Sequence, residues 1–326
     1  MNRFGRISVS APLVVGALGL FACGAGGGFD PGKALYKDFS GGKALEHVGW
    51  QEALGARVAG SLQLEKTRQE IERVLKASGW DVRRQVSVQK TPVGEVEFVN
   101  LRARFSGESA EGHAPSEKTT ALVWRRPVSG LLVSHYETKR FDSFQFFGAN
   151  DPGSSVGALL EMARVLAGRP VAAEKLELVF FDGEEAFVDY SGEDGLYGSR
   201  YYAKSLLQWP EKSRPQWGVL LDMVGDKDLA VRVPRDSPTH LVEHLFAAAE
   251  ETGLRKYFGI GSQVITDDHK PLNEAGVPTI DIIDMDYAYW HTPGDTGDKL
   301  SAASLEVVGK VTLLMIEKYL LDKGGQ

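Results

Sequence analysis

Leu64, Ile71, Val74 and Leu75 follow Gly60-Ser61 at helical spacing, and the pattern gives out at Gly79, which predicts a first helix with a glycine stop. Six short runs, at 98–105, 120–124, 131–134, 176–181, 217–222 and 279–283, are apolar throughout or alternate, and read as strands. Several are almost continuously apolar, as in sheets buried on both faces. Helical periodicity returns at 154–166, where Val156, Leu159, Leu160, Ala163 and Leu166 share one side, and again at 201–207, 239–252 and 305–321. Strands alternating with helices predict an α/β fold: a three-layer αβα sandwich around a central mixed, mostly parallel sheet. The polar stretch 107–118, rich in Ser, Glu and Gly, is expected to be a surface hairpin loop.

The first 22 residues break this pattern. Arg3 and Arg6 precede an apolar run, 11–22, that is too short to span a bilayer and reads as a signal peptide. The run ends in Leu20-Phe21-Ala22-Cys23, which resembles a bacterial lipobox, and the glycine-rich residues 24–28 follow as a tether. The expected organisation is a signal peptide over 1–22, a tether over 23–36 and a single catalytic domain over 37–326. Cys23 would carry a lipid anchor on the periplasmic side of a bacterial membrane, with Gly24 favouring the outer one.

At 326 residues, 43% hydrophobic and 25% charged, the chain is long enough for one sizeable core. Losing the leader removes two arginines and no acids, taking the formal charge from -7 to -9 and leaving nothing that favours nucleic acid. Cys23 is the single cysteine, so no intrachain disulfide is available and the fold must hold by packing, to which a bound metal would add.

Candidate chemistry collects where strands end, the place where open α/β sheets gather ligands. Glu184 and Glu185 follow the strand that closes on Phe181, His135 follows 131–134, Asp222 closes 217–222, and Asp151 precedes a helix. His291 stands in Trp290-His291-Thr292. Neighbouring side chains at a strand exit point in different directions, so one glutamate can bind a cation while the other carries protons. Singly, each has an ordinary alternative: Glu185 a solvated acid, Asp151 a helix N-terminal anion, His291 a surface turn residue. Together, Asp151, Glu185 and His291 offer the nitrogen and carboxylate donors of a catalytic zinc site with an open position.

The order of Ser134-His135-Tyr136, Gly148-Ala149-Asn150-Asp151, 181–187, 195–200, Leu221-Asp222, Asp267-Asp268-His269, Gly276-Val277-Pro278 and Trp290-His291-Thr292 resembles the animal-type glutaminyl cyclases, whose fold is similar to that of bacterial zinc aminopeptidases. Ala186-Phe187, the doubled Asp267-Asp268 and Trp290 resemble the cyclases; Asn150 and Asp295-Thr296 resemble the peptidases. The resemblance implies that Asp151, Glu185 and His291 hold one Zn2+, that Glu184 shuttles the proton, and that Asp222 and Asp267 hydrogen-bond with it as further catalytic groups. It implies a substrate contact for Trp290 and places Tyr190, Asp281 and Tyr287 at the substrate site, with Asp281 where relatives carry a histidine. In the peptidase alternative, His135 and Asp222 bind a second zinc and Glu184 activates a metal-bound water. Because Pro152 follows Asp151, a cis peptide is expected there, proline lowering its cost to about 0.5–1 kcal/mol.

The resulting expectation is a monomeric, exported cyclase that converts N-terminal glutamine of peptides or proteins to pyroglutamate with release of ammonia. A two-zinc aminopeptidase is the alternative, and a non-catalytic periplasmic binding lipoprotein a third reading.

Overall fold

The computed structural model describes Met1 and residues 29–107 and 117–322. Six strands form the main sheet: β1 (Trp80–Thr91), β2 (Gly94–Phe105), β3 (Gly130–His135), β4 (Leu176–Phe181), β5 (Trp217–Asp222) and β8 (Thr279–Ile283), in the order β1-β2-β4-β3-β5-β8. The pairs β3/β4, β3/β5 and β5/β8 are parallel, while β1/β2 and β2/β4 are antiparallel. Two short strands, β6 (Val231–Val233) and β7 (Phe258–Ile260), pair apart from it.

Alternation along the strands builds the layers. Leu132, Leu178, Phe180, Val219, Leu221, Ile280 and Ile282 face a core shared with α1 (Gly41–Leu54), α2 (Leu62–Ala77), α4 (Gly153–Ala167), α7 (Thr239–Glu251) and α9 (Ala302–Leu314). Their neighbours Leu131, Val133, Val179, Phe181 and Leu220 face the opposite way, onto α6 (Tyr197–Leu206) and α8 (His269–Glu274). The molecule is thus an αβα sandwich, and every residue of β3, β4 and β5 is buried, as parallel strands covered on both faces require.

Expected helices and strands fall on the segments the periodicity marked, some starting up to four residues earlier, with four differences. Residues 120–124 are helical, within α3 (Glu117–Arg125), and not a strand: five apolar-leaning residues are too few to separate the two periods. The expected loop 107–118 lies mostly outside the described residues, and its last two residues begin α3. The helix expected over 305–321 starts earlier, at Ala302, and loosens into a π-helix over Met315–Leu321. The tether, expected through residue 36, is already built into the fold at its end: Ala34 and Leu35 are buried, and the Leu35 N–H donates to Glu317 at 2.8 Å. The signal segment and Cys23 lie outside the described residues. Among the described helices, none is long and apolar enough to cross a membrane.

Register places the chemistry. His135 pairs across to Phe181, and Asp222 to Ile283, so the parallel strands end together along one edge. The α4 helix starts at that edge, as do the turns after β4 and β8. A short helix, α5 (Pro170–Ala173), returns the chain from α4 towards β4.

Candidate active site

The side chains arrive from the ends of β3, β4, β5 and β8 and the connections that follow them. His135 is the last residue of β3, and its Nε2 lies 3.2 Å from Asp151 Oδ1 and 3.3 Å from Asp222 Oδ1. Asp151 comes from the turn that opens α4. Its peptide bond to Pro152 is cis, and Gly148 in the same turn has φ +57 and approaches the Asp151 carbonyl so closely that a Cβ would sit 2.2 Å from it. The glutamates leave β4 through Gly183, whose φ of +75 turns the chain over Phe98. His291 itself has φ +54, uncommon for a residue with a Cβ.

Asp151, Glu185 and His291 converge so that one donor atom of each lies within 4.8 Å of the others. His291 Nε2 is 3.0 Å from Glu185 Oε1 and 3.4 Å from Asp151 Oδ2. Two buried carboxylates and an imidazole meeting at one point suit a divalent transition metal, zinc above all. Glu184 stands apart from that triad and groups with His135 and Glu137. His135, Asp151 and Asp222 form a further converging set that shares Asp151 with the first.

The electrostatics separate the neighbours. Burial first, and then the charge of Glu185, push the Glu184 carboxyl well above the usual range. Burial likewise raises Asp151, yet the two histidines outweigh it and hold this carboxyl well below the ordinary value. At His291 burial opposes the charged ring, but Asp151 and Glu185 raise it to about 9. Asp222 is raised, chiefly by burial. Asp267 is raised well above its usual value by burial and then by Asp281 and Glu184.

Of the expected substrate residues, two reach the surface here. Trp290, 41% exposed, stacks on the His291 ring at 4.3 Å, and the Tyr190 hydroxyl lies 2.9 Å from an oxygen of both Glu184 and Glu185. Tyr287 and Asp281 do not. Tyr287 is buried with its hydroxyl on Asp295 at 2.8 Å, a support behind the site and not a substrate contact. Asp281, on β8, is fully buried 3.4 Å from His269, with no face open to a substrate. Phe141 and Phe146 instead meet the His291 ring in T-shaped contacts.

Several supports were missed by sequence reasoning. Glu137 accepts the Glu185 N–H at 3.0 Å and comes within 3.8 Å of His135 Nδ1. It stands two residues beyond His135, so strand periodicity could have found it. Lys139 reaches Glu185 at 3.3 Å and the Ala186 carbonyl at 2.8 Å. Asp182, locked by Arg68 at 2.6 Å and the Val99 N–H at 2.8 Å, anchors the start of the glutamate turn, and no local signal announces that partnership across 114 residues.

With this geometry the comparisons agree. The model of peptidase family M28 matches residues 125–316, which contain His135, Asp151, Glu184, Glu185, Asp222 and His291. A glutaminyl-peptide cyclotransferase of Dictyostelium discoideum is 28% identical over 309 residues, covering 86% of this chain and 84% of that protein. A solved glutaminyl cyclase from an Acidobacteriales bacterium superposes with a TM-score of 0.73 at 33% identity, over 85% of this chain and 94% of its own. A Zn-dependent exopeptidase from Parabacteroides distasonis gives 0.72 at 27% identity, over 86% and 98%. A family match across the whole active edge, joined to a one-third identical structure of nearly full coverage, places the protein: the chain belongs to peptidase family M28.

Proposed function

We propose that the chain is a zinc-dependent glutaminyl-peptide cyclotransferase, turning an N-terminal glutamine into pyroglutamate and ammonia. The cyclase relatives named above, at 28% and 33% identity, carry the choice of reaction. The division of the adjacent glutamates supports its acid–base chemistry: Glu185 meets His291 and Asp151, while Glu184 is buried, outside that triad and with a raised affinity for protons.

Asp151, Glu185 and His291 would hold one zinc ion, which when bound supplies Lewis acidity towards the substrate's γ-carboxamide oxygen. The chain's own residues do the rest. Glu184 takes a proton from the α-amine as that nitrogen bonds to the γ-carbon, then returns one to the departing amide nitrogen, which leaves as ammonia. The Tyr190 hydroxyl steadies the glutamate pair. The exposed indole of Trp290 offers its N–H to the substrate's side-chain carbonyl. Asp222 and Asp267 supply neighbouring carboxylates whose like charge favours keeping a proton at this edge.

A two-zinc aminopeptidase is the second reading, and the convergence of His135, Asp151 and Asp222 is what favours it. Glutaminyl and leucyl dipeptides separate the two: ammonia from the first supports the cyclase, and free leucine from the second supports the peptidase. Metal content separates them again, one zinc against two. We further propose, from Arg3, Arg6, the apolar run and Cys23, an exported lipid-anchored protein. Unchanged membrane partitioning of Cys23→Ser would reject the anchor.

A further inference from the structure

The turn that carries Asp151 is held from two sides. On one, the buried Arg57 guanidinium donates to the carbonyls of Phe147 at 2.7 Å and Gly148 at 2.9 Å. On the other, Asp295 takes the amides: its backbone carbonyl accepts the Ala149 N–H at 3.3 Å, Oδ1 accepts the Asn150 N–H at 2.8 Å, and Oδ2 accepts the Asp151 N–H at 3.1 Å. The carboxylate takes a third hydrogen bond besides the two from the amides, from the Tyr287 hydroxyl to Oδ1 at 2.8 Å. Asp295 is fully buried and lies four residues after His291, with its own N–H on the Thr292 carbonyl at 3.2 Å. One side chain therefore ties the loop bearing His291 to the turn bearing Asp151, two segments more than a hundred residues apart that must present donor atoms to the same point.

We propose that Asp295 is a positioning residue for the metal site, setting the separation of Asp151 and His291 before any ion arrives. The inference rests on the reading of Asp151, Glu185 and His291 as ligands. Its physical basis is geometric: a carboxylate has two acceptors for two adjacent amide donors, and no neutral isostere can face both. Asn at 295 must turn its NH2 towards one of those N–H groups, leaving two donors opposed and the turn free to move. Loss of an outer hydrogen-bonding partner of a ligand typically weakens metal affinity by roughly 10–100-fold.

The test uses the full chain, stripped of metal and titrated with Zn2+ against a chromophoric chelator, with melting of the metal-free form followed in parallel. Asp295→Asn is expected to bind zinc roughly 10–100-fold more weakly, and Tyr287→Phe, which removes only the supporting hydroxyl, roughly two- to tenfold more weakly. Glu185→Gln is the reference for loss of a ligand. If Glu185→Gln binds zinc as the unsubstituted chain does, the ligand reading falls and this inference with it. If Glu185→Gln loses affinity while Asp295→Asn keeps it, with or without a lower melting temperature, Asp295 is only structural and the inference is overturned. Should Asp295→Asn fail to fold, Tyr287→Phe decides, and unchanged affinity there overturns the proposal.

Discussion

The front and the back of the active edge are both acidic, yet they solve the problem of buried charge differently. At the front, Asp151 and Glu185 each meet nitrogen: His291, His135 and Lys139 all lie within 3.4 Å of one of these carboxylates. At the back, neither oxygen of Asp281 and neither ring nitrogen of His269 has a hydrogen-bond partner among the described residues, nor does Asp267 Oδ2. The titration directions follow: Asp151 is held below the carboxylate range, whereas burial drives Asp281 well above it. A buried carboxylate stays charged beside a cation or enough hydrogen-bond donors, and otherwise keeps its proton. The front thus suits a metal ion and the back suits retained protons, with Glu184 between them.

The sharpest break in that contrast comes from exchanging the two glutamates' fates. Glu184→Gln should lower turnover by roughly 10²–10⁴-fold, the share of a positioned acid–base group, while zinc content stays unchanged. Glu185→Gln should lose zinc in elemental analysis. Reversed results would mean that front and back had been assigned the wrong way round. Stripping the metal with a chelator should abolish turnover, and added zinc should restore it.

The back is tested by pH. An acid whose proton affinity is raised in the fold stays protonated there after the unfolded chain has released its proton, so stability falls as pH rises between the two values. Burial lifts Asp268 to about 7 and raises Asp267 and Asp281 well above the usual carboxylate range. Melting of the metal-free protein should therefore occur at progressively lower temperature from about pH 4 to about pH 7, and Asp281→Asn should flatten that slope. An equally steep slope in the variant would remove Asp281 from the account. The smallest effect is expected at the exposed rim: Trp290→Phe keeps the stacking on His291 but lacks the indole donor, and should raise KM by roughly two- to tenfold with little change in zinc affinity.

How much of this the sequence carried depends on whether a partner is near along the chain or across the fold. Glu184 and Glu185 were legible because an apolar strand delivers them to its end, and strands 176–181, 217–222 and 279–283 begin and end where the pattern says. The helix over Gly41–Leu54 was not: glycines and charges dilute its stripe, and its signal was the Ser40 cap on the Lys43 N–H. Strand Trp80–Thr91 hid because much of it is exposed, so charge interrupts its alternation. In the site, Asp281 and Tyr287 were right about neighbourhood and wrong about direction. Sequence order could not say that one turns to the rear helices and the other to Asp295. Asp295 shows the limit most clearly, since its meaning lies in amides 144 and 145 residues away.

The account's central claim is cyclisation and not hydrolysis, and one peptide can decide it. A glutamine-initiated peptide incubated with the zinc-loaded protein has two fates that differ in mass. The account predicts a product that retains every residue and is lighter by one ammonia. A peptide shortened by its first residue, with free glutamine released, would contradict it.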